Sequence, residues 1–193
     1  MFIAIDGPNG VGKSTIAETV QKEMADRGII LTREPSDTGF GQYVKANEGG
    51  YSGEHYGMLI ASDRRYHIDT IIKPNLDNGK VVICDRYIAS SLVLQRFDGV
   101  STRKIWEMNK NILVPDVYVI LLADEKELER RLKKRQVFSR FEKKMSRAQE
   151  IKYFTDAIGY LKGKGFNILQ LNNNDGELND NVLRISKLID RGF

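Results

Sequence analysis
Eight consecutive residues, Gly7-Pro8-Asn9-Gly10-Val11-Gly12-Lys13-Ser14, fit the pattern G-x-x-x-x-G-K-[ST], a P-loop that cradles a nucleoside triphosphate. The chemistry such a loop performs is the neutralisation of clustered negative charge. Its glycines let successive backbone N–H groups turn inward, and the N-terminus of a following helix adds a positive dipole. Lys13 reaches the β and γ oxygens, and the Ser14 hydroxyl can join the shell of a Mg²⁺ ion. Gly7, Asn9, Gly10, Val11, Gly12, Lys13, Ser14 and Thr15 are thus the candidate contacts to the nucleoside triphosphate. Asp85, at the tip of an apolar run, is the second candidate Mg²⁺ ligand, acting through water, and Glu34 is a further candidate for that task.

The flanking sequence must supply a strand before the loop and a helix after it. Phe2-Ile3-Ala4-Ile5 reads as a buried strand, and Ile16, Val20 and Met24 recur every four residues on one face of a helix that Gly28 ends. Further β-type runs fall at Ile29–Arg33, Val81–Asp85, Val117–Ala123 and Asn167–Leu171, separated by helical patterns or turn residues. That alternation predicts an α/β fold with a five-stranded parallel sheet flanked by helices on both faces. A long helical region holds Met58, Leu59, Ile68, Ile71 and Ile72, with Pro74 near its end and Asn78-Gly79 as its stop; the last helix presents Val182, Ile185, Leu188 and Ile189.

Composition narrows the remaining classes. With 193 residues, 41% hydrophobic and 29% charged, the chain is long enough to bury one substantial core, so a single domain over 1–193 is expected. It opens directly into a strand and contains no apolar run of about 18 residues, which predicts a cytoplasmic protein with no membrane contact. The lone Cys84 cannot form an intrachain disulfide and reads as a packed core thiol. His55 and His67 lie far apart without Cys or His companions in sequence, which argues against zinc.

The net charge of +4 is unevenly placed. Nine basic residues fall between Arg130 and Arg147 against one acid, Glu142, so the remainder of the chain is net negative. Such a segment could be a solvated helix face, a nucleic-acid patch, or a mobile lid whose arginines close over a transferring phosphoryl group; beside a P-loop the lid carries more weight.

Four more motifs occur in order. Thr32-Arg33-Glu34-Pro35 follows the second strand, Ala61-Ser62-Asp63-Arg64 lies on the long helical region, Asp85-Arg86-Tyr87 ends the third strand, and Pro115-Asp116 opens the fourth. With the P-loop, this ordered set resembles the thymidylate kinases over nearly the whole chain, and among them the bacterial type, in which a lid supplies the catalytic arginine. The resemblance implies transfer of the γ-phosphate of ATP to dTMP, small-molecule nucleotide substrates, Mg²⁺, no stable nucleic acid, and a homodimer. It places Arg135 and Arg140 in a helical lid near 136–147. Lys13, Asp85, Arg86, Arg135 and Arg140 are the catalytic candidates. Arg33, Arg64 and Arg86 are candidates for the acceptor phosphate, because a planar guanidinium grips phosphate through two parallel hydrogen bonds. The resemblance also places the Leu171-Asn172-Asn173-Asn174 loop beside the adenine.

Several positions depart from the family pattern. Ile60 stands where a phenylalanine usually stacks on the thymine, Leu94 where a tyrosine is common, and Lys45 where many members have an arginine. Ser91 and Gln95 match the family's remaining base contacts. Asn9 replaces the usual acidic residue that meets the sugar 3′-hydroxyl or a metal-bound water, so Asn9→Asp is expected to improve use of substrates with a free 3′-hydroxyl. These departures keep open a kinase of the same fold with a different (deoxy)nucleotide or nucleoside as acceptor. A regulatory GTPase is disfavoured by the lack of an Asn/Thr-Lys-x-Asp motif, and a P-loop nucleic-acid-binding protein ranks behind the kinases.

Overall fold
The computed structural model describes residues 1–134, 136 and 138–192. Five strands, β1 (Phe2–Asp6), β2 (Ile30–Arg33), β3 (Val82–Asp85), β4 (Val117–Leu122) and β5 (Ile168–Asn172), form one parallel sheet in the order β2-β3-β1-β4-β5. The expected strands are all present, with ends displaced by a single residue in places. Both faces of such a sheet are covered, so its central strands read as continuous apolar runs rather than alternating ones. Alternation survives in direction. Phe2, Ala4, Val82, Cys84, Tyr118 and Ile120 enter one core, and Ile3, Ile5, Ile83, Val117, Val119 and Leu121 enter the other.

The helices are α1 (Lys13–Glu23), α2 (Gly39–Ala46), α3 (Gly53–His67), α4 (Lys73–Asp77), α5 (Ile88–Phe97), α6 (Thr102–Met108), α7 (Glu125–Leu132), α8 (Arg140–Lys144), α9 (Arg147–Gly163) and α10 (Leu178–Arg191). α1 and α10 cover one face through Ile16, Val20, Val182 and Ile185, whereas α5 and α9 cover the other through Ile88, Leu92, Phe154 and Leu161. Between α3 and α4 the backbone passes through a π-helical turn, Ile68–Ile72, and the helical region continues past Pro74 to Asp77.

The chain runs from β1 outward to β2 and β3, then returns to the far side of β1 for β4 and β5. Ligands of an open α/β sheet settle at such a reversal, outside the carboxyl ends of the strands. Here the register sets Ile5 opposite Asp85 and Asp85 opposite Arg33, so the P-loop and the residues after β2 and β3 emerge side by side.

Candidate active site
The P-loop turns so sharply between β1 and α1 that its glycines are obligatory. Gly7 has φ +146, and a Cβ there would sit 2.2 Å from the Leu121 carbonyl oxygen; Gly12 has φ +100, and its Cβ would lie 2.7 Å from Asn173 Nδ2. From the other side the loop is fixed by its own carbonyls. Val11 O accepts from Asn173 Nδ2 at 2.6 Å and Arg131 Nη1 at 3.1 Å, while Lys13 Nζ donates to Gly7 O at 2.8 Å and Pro8 O at 2.9 Å. Lys13 is only 6% exposed. Burial, then the charge of Arg86, pulls its pKa down from 10.5 to about 8, against the opposing pull of Asp85, Asp6 and Glu150.

Asp6 was not among the sequence candidates, yet it organises the facing loop. Its buried carboxylate accepts from the backbone N–H groups of Tyr87 and Ser90 at 2.9 Å, from Ser90 Oγ at 2.6 Å, from Tyr118 Oη at 2.9 Å and from Gly7 N at 3.2 Å. These bonds pin the turn between β3 and α5, where Arg86 is held in the left-handed region at φ +73. Arg86 then donates from Nη2 to Asn9 Oδ1 at 2.6 Å and from Nη1 to Ser90 Oγ at 3.2 Å.

One cleft of about 530 Å³ gathers most of the sequence candidates. Asn9, Gly10, Gly12, Lys13, Ser14, Thr15 and Asp85 line it together with Arg33, Glu34, Lys45, Ile60, Arg64, Arg86, Ser91 and Gln95. Gly7 and Val11 shape the loop from behind without lining the cleft. The donor set for a divalent cation is coherent: Ser14 Oγ donates to Asp85 Oδ2 at 2.5 Å, and Asp85 Oδ1 is a buried acceptor with no hydrogen-bond partner among the described residues. A hydroxyl beside a carboxylate with a spare lone pair suits a hard, oxygen-seeking ion.

The structure redistributes other candidates. Glu34 is buried on the cleft wall, and its Oε2 accepts from Arg64 Nε at 2.7 Å. Arg64 itself is 1% exposed, lies 5.3 Å from the Tyr87 ring centroid, and also donates to Ser91 Oγ and Asn109 Oδ1. Its charge is therefore already balanced, unlike that of Arg86. His67 and Cys84, unrelated in sequence, meet Glu34 here, with the three potential ligand atoms within 4.8 Å of one another. Arg33 is exposed and pairs with Asp37 at 3.6 Å.

The basic segment is not one uniform face. Arg140 Nη1 donates to Asp98 Oδ1 at 2.8 Å, its Nη2 pairs with Asp98 Oδ2, and the guanidinium stacks 4.0 Å from the Phe141 ring centroid. Held in this way, it is not among the residues that line the cleft. Arg147 is buried and donates to Glu150 Oε2 at 2.6 Å, and Arg131 braces the P-loop. Arg135 lies outside the described residues. Tyr56 and Glu48, missed in the sequence, also line the cleft, and burial, reinforced by Glu48, pushes the Tyr56 hydroxyl pKa up. Gln95 Oε1 is a buried acceptor without a partner among the described residues, and Asn173 packs against the P-loop.

The family model for thymidylate kinase matches residues 5–182. Among curated proteins, a probable thymidylate kinase of Thermococcus kodakarensis is 38% identical over 156 residues, covering 74% of this chain and 76% of its own. One of Pyrobaculum calidifontis is 33% identical over 190 residues, covering 96% and 95%. Among solved structures, the fold is shared with thymidylate kinase from Ehrlichia chaffeensis (TM-score 0.72, 24% identity, 98% of both chains). It is shared too with that from Candida albicans (TM-score 0.76, 19% identity, 98% of this chain and 91% of that one).

Proposed function
The chain belongs to the thymidylate kinase family, and from that premise we propose that it moves the γ-phosphate of ATP onto dTMP, giving dTDP and ADP. The observation that carries the reading is the joint lining of one cleft by Lys13, Ser14 and Asp85 together with Arg86, Ser91 and Gln95. Phosphoryl transfer needs two polyanions brought into line, and both sets of cations and donors open into the same space. The acceptor phosphate oxygen is already an anion near neutral pH, so no covalent nucleophile is required. Lys13 neutralises the β and γ oxygens, Arg86 holds the acceptor phosphate, and a lid arginine, Arg135 or Arg140, completes the charge balance. For Arg140 this requires exchange of its Asp98 partner for phosphate. Ser14 and Asp85 would hold Mg²⁺, whose charge offsets that of the phosphates.

Arg64, neutralised by Glu34 and set beside Ser91, suits the polar edge of an uncharged base better than a dianion. Gln95 Oε1 supplies an acceptor for the imide N–H of thymine. Ile60, 9% exposed on the cleft wall, gives the ring an aliphatic contact. Replacing it by phenylalanine adds stacking worth roughly 1–3 kcal/mol per base, so Ile60→Phe is expected to lower KM for dTMP about tenfold with KM for ATP unchanged. Steady-state kinetics with each substrate varied separately check this.

The working unit is one kinase domain, with a lid near 136–147, acting in the cytoplasm as a homodimer. No helix among the described residues is long and apolar enough to cross a membrane. Exposed Met58 and Tyr66 on α3, with Tyr43 on α2, offer apolar surface for a second copy, which sedimentation would detect. The deciding experiment is ADP release across a panel of nucleosides and nucleoside monophosphates. dTMP is expected to give the highest kcat/KM, and a faster alternative acceptor would overturn the substrate assignment.

A further inference from the structure
Glu150 lies on α9, 141 positions from the P-loop, yet is only 1% exposed. Its Oε1 accepts from the Asn9 backbone N–H at 2.9 Å and from Asn9 Nδ2 at 2.8 Å. Oε2 accepts from Arg147 Nη1 at 2.6 Å. Because Nδ2 must face the carboxylate, Asn9 Oδ1 is turned to the opposite side, where it accepts from Arg86 Nη2 at 2.6 Å. Arg147 continues the chain by donating to the carbonyls of Met145 at 2.6 Å and Glu142 at 3.2 Å, at the end of α8. A run of charge-assisted bonds thus links the α8–α9 segment to the arginine of the acceptor side.

We propose that Glu150 is a positioning residue: by fixing the orientation of the Asn9 amide it aims Arg86 into the cleft and ties the lid segment to the P-loop. The proposal rests on the kinase reading above. It also explains the identity of residue 9. An aspartate there would set a second carboxylate about as close to Glu150 as Nδ2 is now, with no donor between them, and like charges so placed destabilise each other. The expectation that Asn9→Asp improves the enzyme is therefore reversed. Positions 9 and 150 together carry one negative charge, and the amide belongs on the loop because the carboxylate is on the helix.

The test is a double-mutant cycle with Asn9→Asp, Glu150→Gln and the two combined. Each protein is assayed for kcat and for KM toward dTMP and ATP, and melted without nucleotide. Asn9→Asp alone is expected to raise KM for dTMP about tenfold or more, with KM for ATP within about threefold, and to lower the melting temperature. The double variant moves the carboxylate to the loop and conserves charge. It is expected to lose at least about fivefold less than the product of the two single losses and to regain melting temperature. Strictly multiplicative kinetic losses, or an Asn9→Asp enzyme equal to wild type in both KM and melting, would overturn the proposal. Failure of the wild type to use dTMP would instead overturn the acceptor assignment, and the melting cycle, which needs no nucleotide, would still decide whether the two residues are paired.

Discussion
Lys13→Met is expected to lower turnover by at least about a thousandfold while raising the melting temperature. The two effects share one cause. Lys13 Nζ sits among the P-loop carbonyls of Gly7 and Pro8, nearly out of water and close to Arg86, and its pKa is depressed from 10.5 to about 8. A folded-state pKa below the unfolded value means that the unfolded chain binds more protons between about pH 8 and 10.5. Stability therefore rises with pH across that window, and below it the buried ammonium costs the fold about 3 kcal/mol. Methionine removes the charge and keeps the stem, so at pH 7 the apo protein should melt roughly 2–6 °C higher, after allowing for the two lost hydrogen bonds. What is lost is the cation that meets the triphosphate. Calorimetric melting beside an ADP-release assay checks both halves. A variant that retains wild-type turnover would remove Lys13 from the mechanism, and one that melts lower would show that its carbonyl contacts outweigh the desolvation.

The legible parts of this site are those whose residues are neighbours in sequence. The P-loop is contiguous, and Asp85-Arg86 directly follows an apolar run, so each was found together with its strand. The sheet was legible for the same reason: period and turn residues mark strands locally, and only their ends shifted, as with Ile168–Asn172 against the expected Asn167–Leu171. What stayed hidden are pairings made by the fold. Asp6 reads as the last residue of a strand, and nothing near it announces that Tyr87, Ser90 and Tyr118 will donate to it. Arg147 and Glu150, three apart on a helix, resemble an ordinary surface ion pair until the structure buries them against Asn9. Arg140 stands out in the sequence within a basic segment, but its engagement by Asp98, 42 positions away, does not. The asymmetry between Arg64 and Arg86 was equally invisible, because it depends on Glu34 balancing one and, among the described residues, no carboxylate directly balancing the other.

That asymmetry sets the second large effect. Arg86→Ala is expected to reduce kcat/KM for dTMP by about a hundredfold or more, chiefly through KM for dTMP, while KM for ATP changes by less than about threefold. Its guanidinium is held by two neutral acceptors, Asn9 Oδ1 and Ser90 Oγ, so its charge remains available to an incoming phosphate. A charge-assisted hydrogen bond contributes roughly 1.5–3 kcal/mol, and a fork offers two. Arg86→Lys separates charge from fork geometry. Like alanine it keeps a Cβ at φ +73, but it also keeps the charge and loses only the planar pair of donors, so it should fall between wild type and alanine. Removing the guanidinium also removes one of the influences that depress Lys13, whose pKa should move back toward its ordinary value. If instead the alanine variant weakens dTMP and ATP alike, or if lysine is no better than alanine, Arg86 acts by holding the turn between β3 and α5 rather than by binding the acceptor.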